Sequence, residues 1–203
     1  MIKSSFTFIF VITCLALPSV TFAKSKLGEY FVAFSYYGGD APAADMDVLD
    51  IEVSNPTSNS NDIRVGLSWM NVDKNVGGDD TSWWLDVDLL YHYDDFLNGG
   101  GMFRPYGGLG VGYFSDAAGL ILAEDGFNWK FSVGSEIIFT DTFSASFGLN
   151  FYGLWNDFGE NDSELELSLL NWFGDVHGVG LEYRHSNDMD VNYLGLRYLY
   201  SWQ

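Results

Sequence analysis

"YLGLRYLYSWQ", residues 193–203, decides the fold. Leu194, Leu196, Tyr198, Tyr200 and Trp202 occupy every second position, with Gly195, Arg197 and Ser201 among the residues between them. A period of two sends alternate side chains to opposite faces of a strand, so the stretch predicts a strand with one apolar face. The chain around it is acidic, with 28 Asp and Glu against 9 Lys and Arg and a formal net charge of -19. What solvent the apolar face meets is therefore the first question.

The same period recurs along the chain. Ten segments carry it, at approximately 27–37, 46–54, 62–72, 82–93, 103–114, 126–139, 142–155, 163–173, 178–186 and 191–202. Between them lie "SNPTSNSND", "NVGGDDTS", "LNGGG" and "NDFGENDS", whose Gly, Asp, Asn, Ser and Pro content is turn chemistry. In "SWWLDVDLLYHY" one face holds Trp83, Leu85, Val87, Leu89, Tyr91 and Tyr93, and the other Trp84, Asp86, Asp88, Leu90 and His92. In "FNWKFSVGSEIIF" Phe127, Trp129, Phe131, Val133, Ile137 and Phe139 oppose Lys130, Ser132, Gly134, Glu136 and Ile138. "TFSASFGLNFYGLW" repeats the division, with Phe143, Phe147, Leu149, Phe151 and Trp155 opposing Ser144, Ser146, Gly148, Asn150 and Tyr152.

A soluble sandwich also alternates, but its apolar faces meet in a packed core. Here many segments reach 11–14 residues, the length of a tilted membrane-spanning strand. Aromatic residues also crowd the ends of the apolar faces, as at Tyr30 and Tyr36, Trp83 and Tyr93, Phe127 and Phe139, Phe143 and Trp155, and Tyr198 to Trp202. Such crowding marks the two interfaces of a bilayer. The expected fold is an all-β, transmembrane, antiparallel up-and-down β-barrel of about 10 strands, or 8 if 46–54 and one neighbour are loop.

Residues 1–23 read as a secretory signal peptide. Lys3 precedes an apolar run from Phe6 to Leu17, and Thr21-Phe22-Ala23 is a small-residue cleavage site. That run is shorter than the roughly 20 residues of a spanning helix. The sole cysteine, Cys14, lies inside it, and Val11-Ile12-Thr13 fits a lipidation site poorly. Residues 24–203 form the barrel domain, with no disulfide expected. Cleavage removes Lys3 but no acid, and so acidic a balance argues against nucleic acid. With 47% hydrophobic and 18% aromatic residues the chain is no disordered acidic segment either.

An even strand count puts both termini on the periplasmic side. External loops are then expected near 38–45, 73–81, 115–125, 156–162 and 187–190, holding thirteen acids from Asp40 to Asp190 against Lys74 alone. Lys24, Lys26 and Arg104 are expected at the periplasmic rim.

Taking the polar faces as the lumen places Glu29, Asp50, Glu52, Asp86, Asp88, Glu136, Glu166 and Glu182 inward, with Arg64, Lys130, Arg184 and Arg197. Buried charges must be paired or hydrated, so the first expectation is a plugged lumen held by a salt-bridge network. The second is a narrow hydrated path in which surplus carboxylates favour cations. Gly108, Gly110 and Gly112 share the inward face of one strand and are expected to leave room for Trp84 or Tyr152. No helix follows "GGLGVG", so it is no dinucleotide loop. No His or carboxylate spacing matches a metal site, and no cofactor is expected.

Two resemblances follow from these residues. The C-terminal alternation from Leu194 to Trp202 and the glycine-rich "RPYGGLGVGYF" at 104–114 resemble the small outer-membrane β-barrel proteins of Gram-negative bacteria, of the OmpX and opacity type. The length and plan are also similar to small porins of the YfaZ type. The family resemblance implies an outer-membrane location, lipid and lipopolysaccharide as surroundings, a monomer, and Tyr198, Tyr200 and Trp202 as the signal read by the barrel-insertion machinery. Gln203 departs from the pattern, since the aromatic is usually last. "EYRHSND" at 182–188 resembles the active-site strand of the outer-membrane lipid A deacylases, which implies Ser186 as nucleophile and His185 as base, oriented by Asp188 or Asp190. Adjacent strand residues point to opposite faces, so this pair needs a bulge, and the family's orienting glutamate is missing. The expected function is a non-catalytic envelope barrel.

Overall fold

The computed structural model describes residues 25–42, 44–74, 78–95, 102–116, 125–188 and 190–202. The expected leader with Cys14, its expected cleavage site and Lys24, the "LNGGG" segment, most of the expected 115–125 loop with Glu124, and Gln203 lie outside them. The described residues form ten strands: β1 Phe31–Ala41, β2 Ala44–Ser58, β3 Asn61–Lys74, β4 Gly78–His92, β5 Phe103–Asp116, β6 Gly126–Ile138, β7 Phe143–Leu154, β8 Asn161–Phe173, β9 His177–Ser186 and β10 Val191–Ser201. They close into one barrel in chain order. β10 meets β1 antiparallel at the seam, with Phe31 opposite Ser201 and Asp40 opposite Asn192.

The count is ten, and the segment that an eight-stranded barrel would leave as loop is β2, a 15-residue strand. Several expected loops shrink. Gly38 to Ala41 pair with β2 down to Ala41 opposite Ala44, so the 38–45 loop is a tight hairpin. Asp73 and Lys74 pair with Asp79 and Gly78 in the same way. Gly and Asp read as turn residues from composition alone, but a strand that projects beyond the bilayer satisfies its backbone polar groups best by continuing its ladder. Pro56 sits where β2 has run past the end of β1, with a register shift between Pro56 and Ser58, a position where a missing N–H costs no ladder bond.

The first predicted strand needs the opposite correction. Residues 27–30 do not extend β1: Gly28 has φ 77°, and Ser25, Lys26 and Leu27 are buried inside the barrel end that carries both termini. That end is called the terminal end below, and the other the far end.

The outer wall is apolar. Leu89, Leu109 and Phe131 stand side by side on β4, β5 and β6, all exposed, with Leu109 66% exposed. A closed barrel has no strand edge, so hydrocarbon is the solvent that such a wall fits. Two aromatic girdles frame it. At the far end the Trp83 and Tyr113 rings lie 5.6 Å apart and the Tyr113 and Phe127 rings 5.3 Å apart. At the terminal end Phe139 contacts Phe143 at 5.5 Å, and His177 contacts Tyr200 at 5.8 Å. At the far rim Asp40, Asp45, Asp73 and Asp79 are directly opposed across successive strands, and Lys74 pairs with Asp80 at 2.6 Å.

Candidate functional site in the lumen

The strand alternation sends one side chain in two inward, and these fill the lumen in three layers. The far-end layer is apolar: Tyr37, Met46, Val48, Met70, Val72, Val191 and Tyr193 form one cluster, and Phe114 and Leu154 another, with Trp84 touching both. Phe31, Ala33, Leu170, Trp172 and Leu199 form an apolar cluster near the terminal end. The charged belt lies between.

The belt is built of charge pairs. Lys130 Nζ lies 3.0 Å from Asp86 Oδ1 and 2.6 Å from Asp88 Oδ2. Arg197 bridges Glu52 at 2.9 Å and Glu182 at 3.3 Å, and Arg64 reaches Glu52 at 3.4 Å. Arg184 pairs with Asp50 at 3.1 Å, donates to the Tyr37 hydroxyl at 2.6 Å and lies 4.3 Å over the Tyr37 ring. Tyr37 in turn donates to Glu182, which is 1% exposed. Each base therefore meets a carboxylate, as a charge in a low-dielectric interior requires. Glu136, only 1% exposed, is held instead by the hydroxyls of Ser25 and Ser144. Glu29 accepts from Ser201 at 3.5 Å at the terminal rim.

Several charged groups escape the sequence reading. Lys26 and Arg104, expected at the rim, are buried within the barrel end, Lys26 on Glu166 at 3.2 Å. Asp62, Asp162 and Glu164 also face inward, because they share parity with Arg64 and Glu166; that signal was in the sequence. Asp162 accepts from Ser186 and Tyr152, and Glu164 from Asn150 at 3.3 Å. His92, fully buried, lies between Asp62 at 3.7 Å and Asp94 at 2.9 Å. The glycines serve different neighbours from those expected. A Cβ at Gly110 would sit 1.9 Å from Asp88 Oδ1, and one at Gly108 2.2 Å from Leu90 Cδ2, so they make room for Leu90 and the Asp88–Lys130 pair rather than for Trp84 or Tyr152.

A cavity of about 170 Å³ opens among the belt residues. Six acids line it (Asp50, Glu52, Asp86, Asp88, Glu164 and Glu166) against five bases (Lys26, Arg64, Lys130, Arg184 and Arg197). The space accommodates several water molecules on polar walls. With Lys26 included, the cavity lining is one charge from balance, but Glu29, Asp62, Glu136, Asp162 and Glu182 lie inside the barrel beyond it against Arg104 alone, so the lumen as a whole keeps the expected surplus of acids.

His185 and Ser186 point apart. His185 Nδ1 lies 3.1 Å from Asn192 Oδ1 on the outside of the barrel, while the Ser186 hydroxyl donates to Asp162 inside it. Opposite residues run in unbroken order from Ser186↔Val191 to His177↔Tyr200, so no bulge brings the pair together. Among the described residues no His, Cys, Asp and Glu cluster is arranged to hold a metal ion.

The terminal end is clasped by Arg104. Its Nε and Nη2 meet the two Asp94 oxygens at 2.5 and 2.8 Å. Asp94 lies in the β4–β5 connection, outside the spanning strands. Burial pushes its carboxyl up, but hydrogen bonds from Arg104 and His92 outweigh burial and hold it below the usual carboxylate range. A carboxyl depressed in the folded state contributes stability that is present above its unfolded value, about 3.9, and lost as pH falls through the folded value. Unfolding followed from neutral to acid pH should therefore show Asp94→Asn less stable than wild type at pH 7, the gap closing below about pH 4. A gap independent of pH would contradict the clasp.

No family model and no curated protein matches the chain. Among solved structures it is similar to an outer membrane channel from Pseudomonas putida F1, at 9% identity over 92% of this chain and 100% of that one, with a TM-score of 0.57. It is also similar to the KdgM porin, at 12% identity over 85% of this chain and 100% of that one, with a TM-score of 0.51. The likeness is one of fold, that of an outer-membrane β-barrel.

Proposed function

We propose that this chain is a non-catalytic barrel of the bacterial outer membrane whose lumen is closed at rest. The observation that carries the reading is the layering of the lumen. A paired charge belt lies between apolar packing at the far end and residues 25–28 at the terminal end, an arrangement that supports closure. Eight-stranded barrels just fill with side chains, and ten strands leave little more room. Outer-membrane lipid and lipopolysaccharide surround the wall, the barrel-insertion machinery reads Tyr198, Tyr200 and Trp202, and the protein works as a monomer delivered by its leader.

A narrow cation path is the second reading, favoured by the belt cavity and by Glu164, which has no ion-pair partner among the described residues. Proteoliposomes loaded with potassium and a small sugar separate the two. The closed reading expects efflux of both at the rate of protein-free vesicles, and selective potassium efflux would favour the path.

A further inference from the structure

Residues Ser25–Gly28 cross the terminal end of the lumen, and the barrel wall answers their polar groups one by one. Lys26 Nζ rests on Glu166 at 3.2 Å, and the Ser25 hydroxyl donates to Glu136. The wall also addresses the backbone: Arg64 Nη2 donates to the Lys26 carbonyl at 2.9 Å, Arg104 Nη1 to the Leu27 carbonyl at 2.6 Å, and the Gly28 N–H donates to Asp62 at 2.9 Å. A metal ion or free amine would use the carboxylates alone. Guanidinium groups that donate to backbone carbonyls and a carboxylate that accepts from a backbone N–H, set beside an ammonium site, recognise a peptide.

The segment also lies outside every strand pair of the barrel. The β1–β10 ladder begins at Phe31 opposite Ser201, and Gly28, at φ 77°, turns the chain inward ahead of it. Movement about Gly28 and Glu29 would therefore vacate the site with every strand pair intact.

We propose that the terminal end of the lumen is a binding site for a short lysine-bearing peptide segment, held in cis by Ser25–Gly28 and exchangeable for a segment of the same chemistry from another chain. This rests on the closed-lumen reading, because the resident segment is part of the closure. The vacated site would face the side of the termini.

The test uses fluorescein-labelled acetyl-Ser-Lys-Leu-Gly-amide and the full chain refolded in detergent micelles, read by fluorescence anisotropy. The variant Ser25→Gly/Lys26→Gly/Leu27→Gly removes the resident side chains. It is expected to bind the peptide more tightly than wild type, whose own segment competes. Adding Glu166→Gln, or placing Gln for Lys in the peptide, should weaken binding about tenfold, equivalent to 1.4 kcal/mol. Should the triple variant fail to refold, Lys26→Gly alone serves the same comparison. A folded variant that binds no peptide, or binds the Gln peptide as tightly as the Lys peptide, overturns the proposal. Failure of the closed-lumen reading appears separately, as ion flux through wild type.

Discussion

Lys130→Met should destabilise the folded barrel by about 3–5 kcal/mol, the cost of stranding buried charge. Lys130 is the ion-pair partner of both Asp86 and Asp88, at 3.0 and 2.6 Å, and among the described residues no other base pairs with either. Methionine keeps much of the side-chain volume, so a loss of this size is electrostatic rather than a packing defect. Neutralising the acids tests this: Asp86→Asn and Asp88→Asn added to Lys130→Met should recover most of the loss. Urea unfolding in micelles, followed by tryptophan emission, measures both. A triple variant no more stable than Lys130→Met would show that the pair does not carry the stability.

Leu109→Arg should cost about 2–4 kcal/mol, the range for a cation at the bilayer midplane of a barrel. Leu109 stands midway along β5, 66% exposed, between Leu89 and Phe131 on the neighbouring strands. On a water-facing wall the same change would be nearly neutral, as surface substitutions usually are. Refolding into bilayers, with the fraction folded read from the faster-migrating band on unheated gels, gives the value. Equal stability of Leu109→Arg and Leu109→Gln would contradict a lipid-facing wall.

The barrel was legible because period two survives in every strand and because the aromatic residues cluster at strand ends. Strand ends were less so. Gly38, Gly39 and Asp40 look like a turn, and only their pairing with β10 and β2 makes them strand. Leu27 continues the apolar alternation, and nothing local signals that Gly28 turns the chain into the lumen. The burial of Lys26 and Arg104 depends on that path, so residues outside the predicted strands became central to the site. Asp62 and Glu164 needed only the parity already applied to Arg64 and Glu166. The far-end layer was hidden for a different reason. Equating the polar face with the lumen works in the belt, but Met46, Val48, Met70 and Val72 are inward and apolar while Asp45, Asp47, Asn71 and Asp73 between them are exposed, so near that end the polarity of the two faces is reversed. The opposition of His185 and Ser186, by contrast, followed directly from adjacency on a strand.

Closure of the lumen is the central claim, and single-channel recording tests it most directly. Wild type and Glu136→Gln, each refolded and confirmed by heat-modifiable migration, would be inserted into planar bilayers under a potassium chloride gradient. The account predicts flat current traces from folded wild-type protein; discrete, cation-selective steps that change with Glu136→Gln would contradict it and make the acidic belt a conduction path.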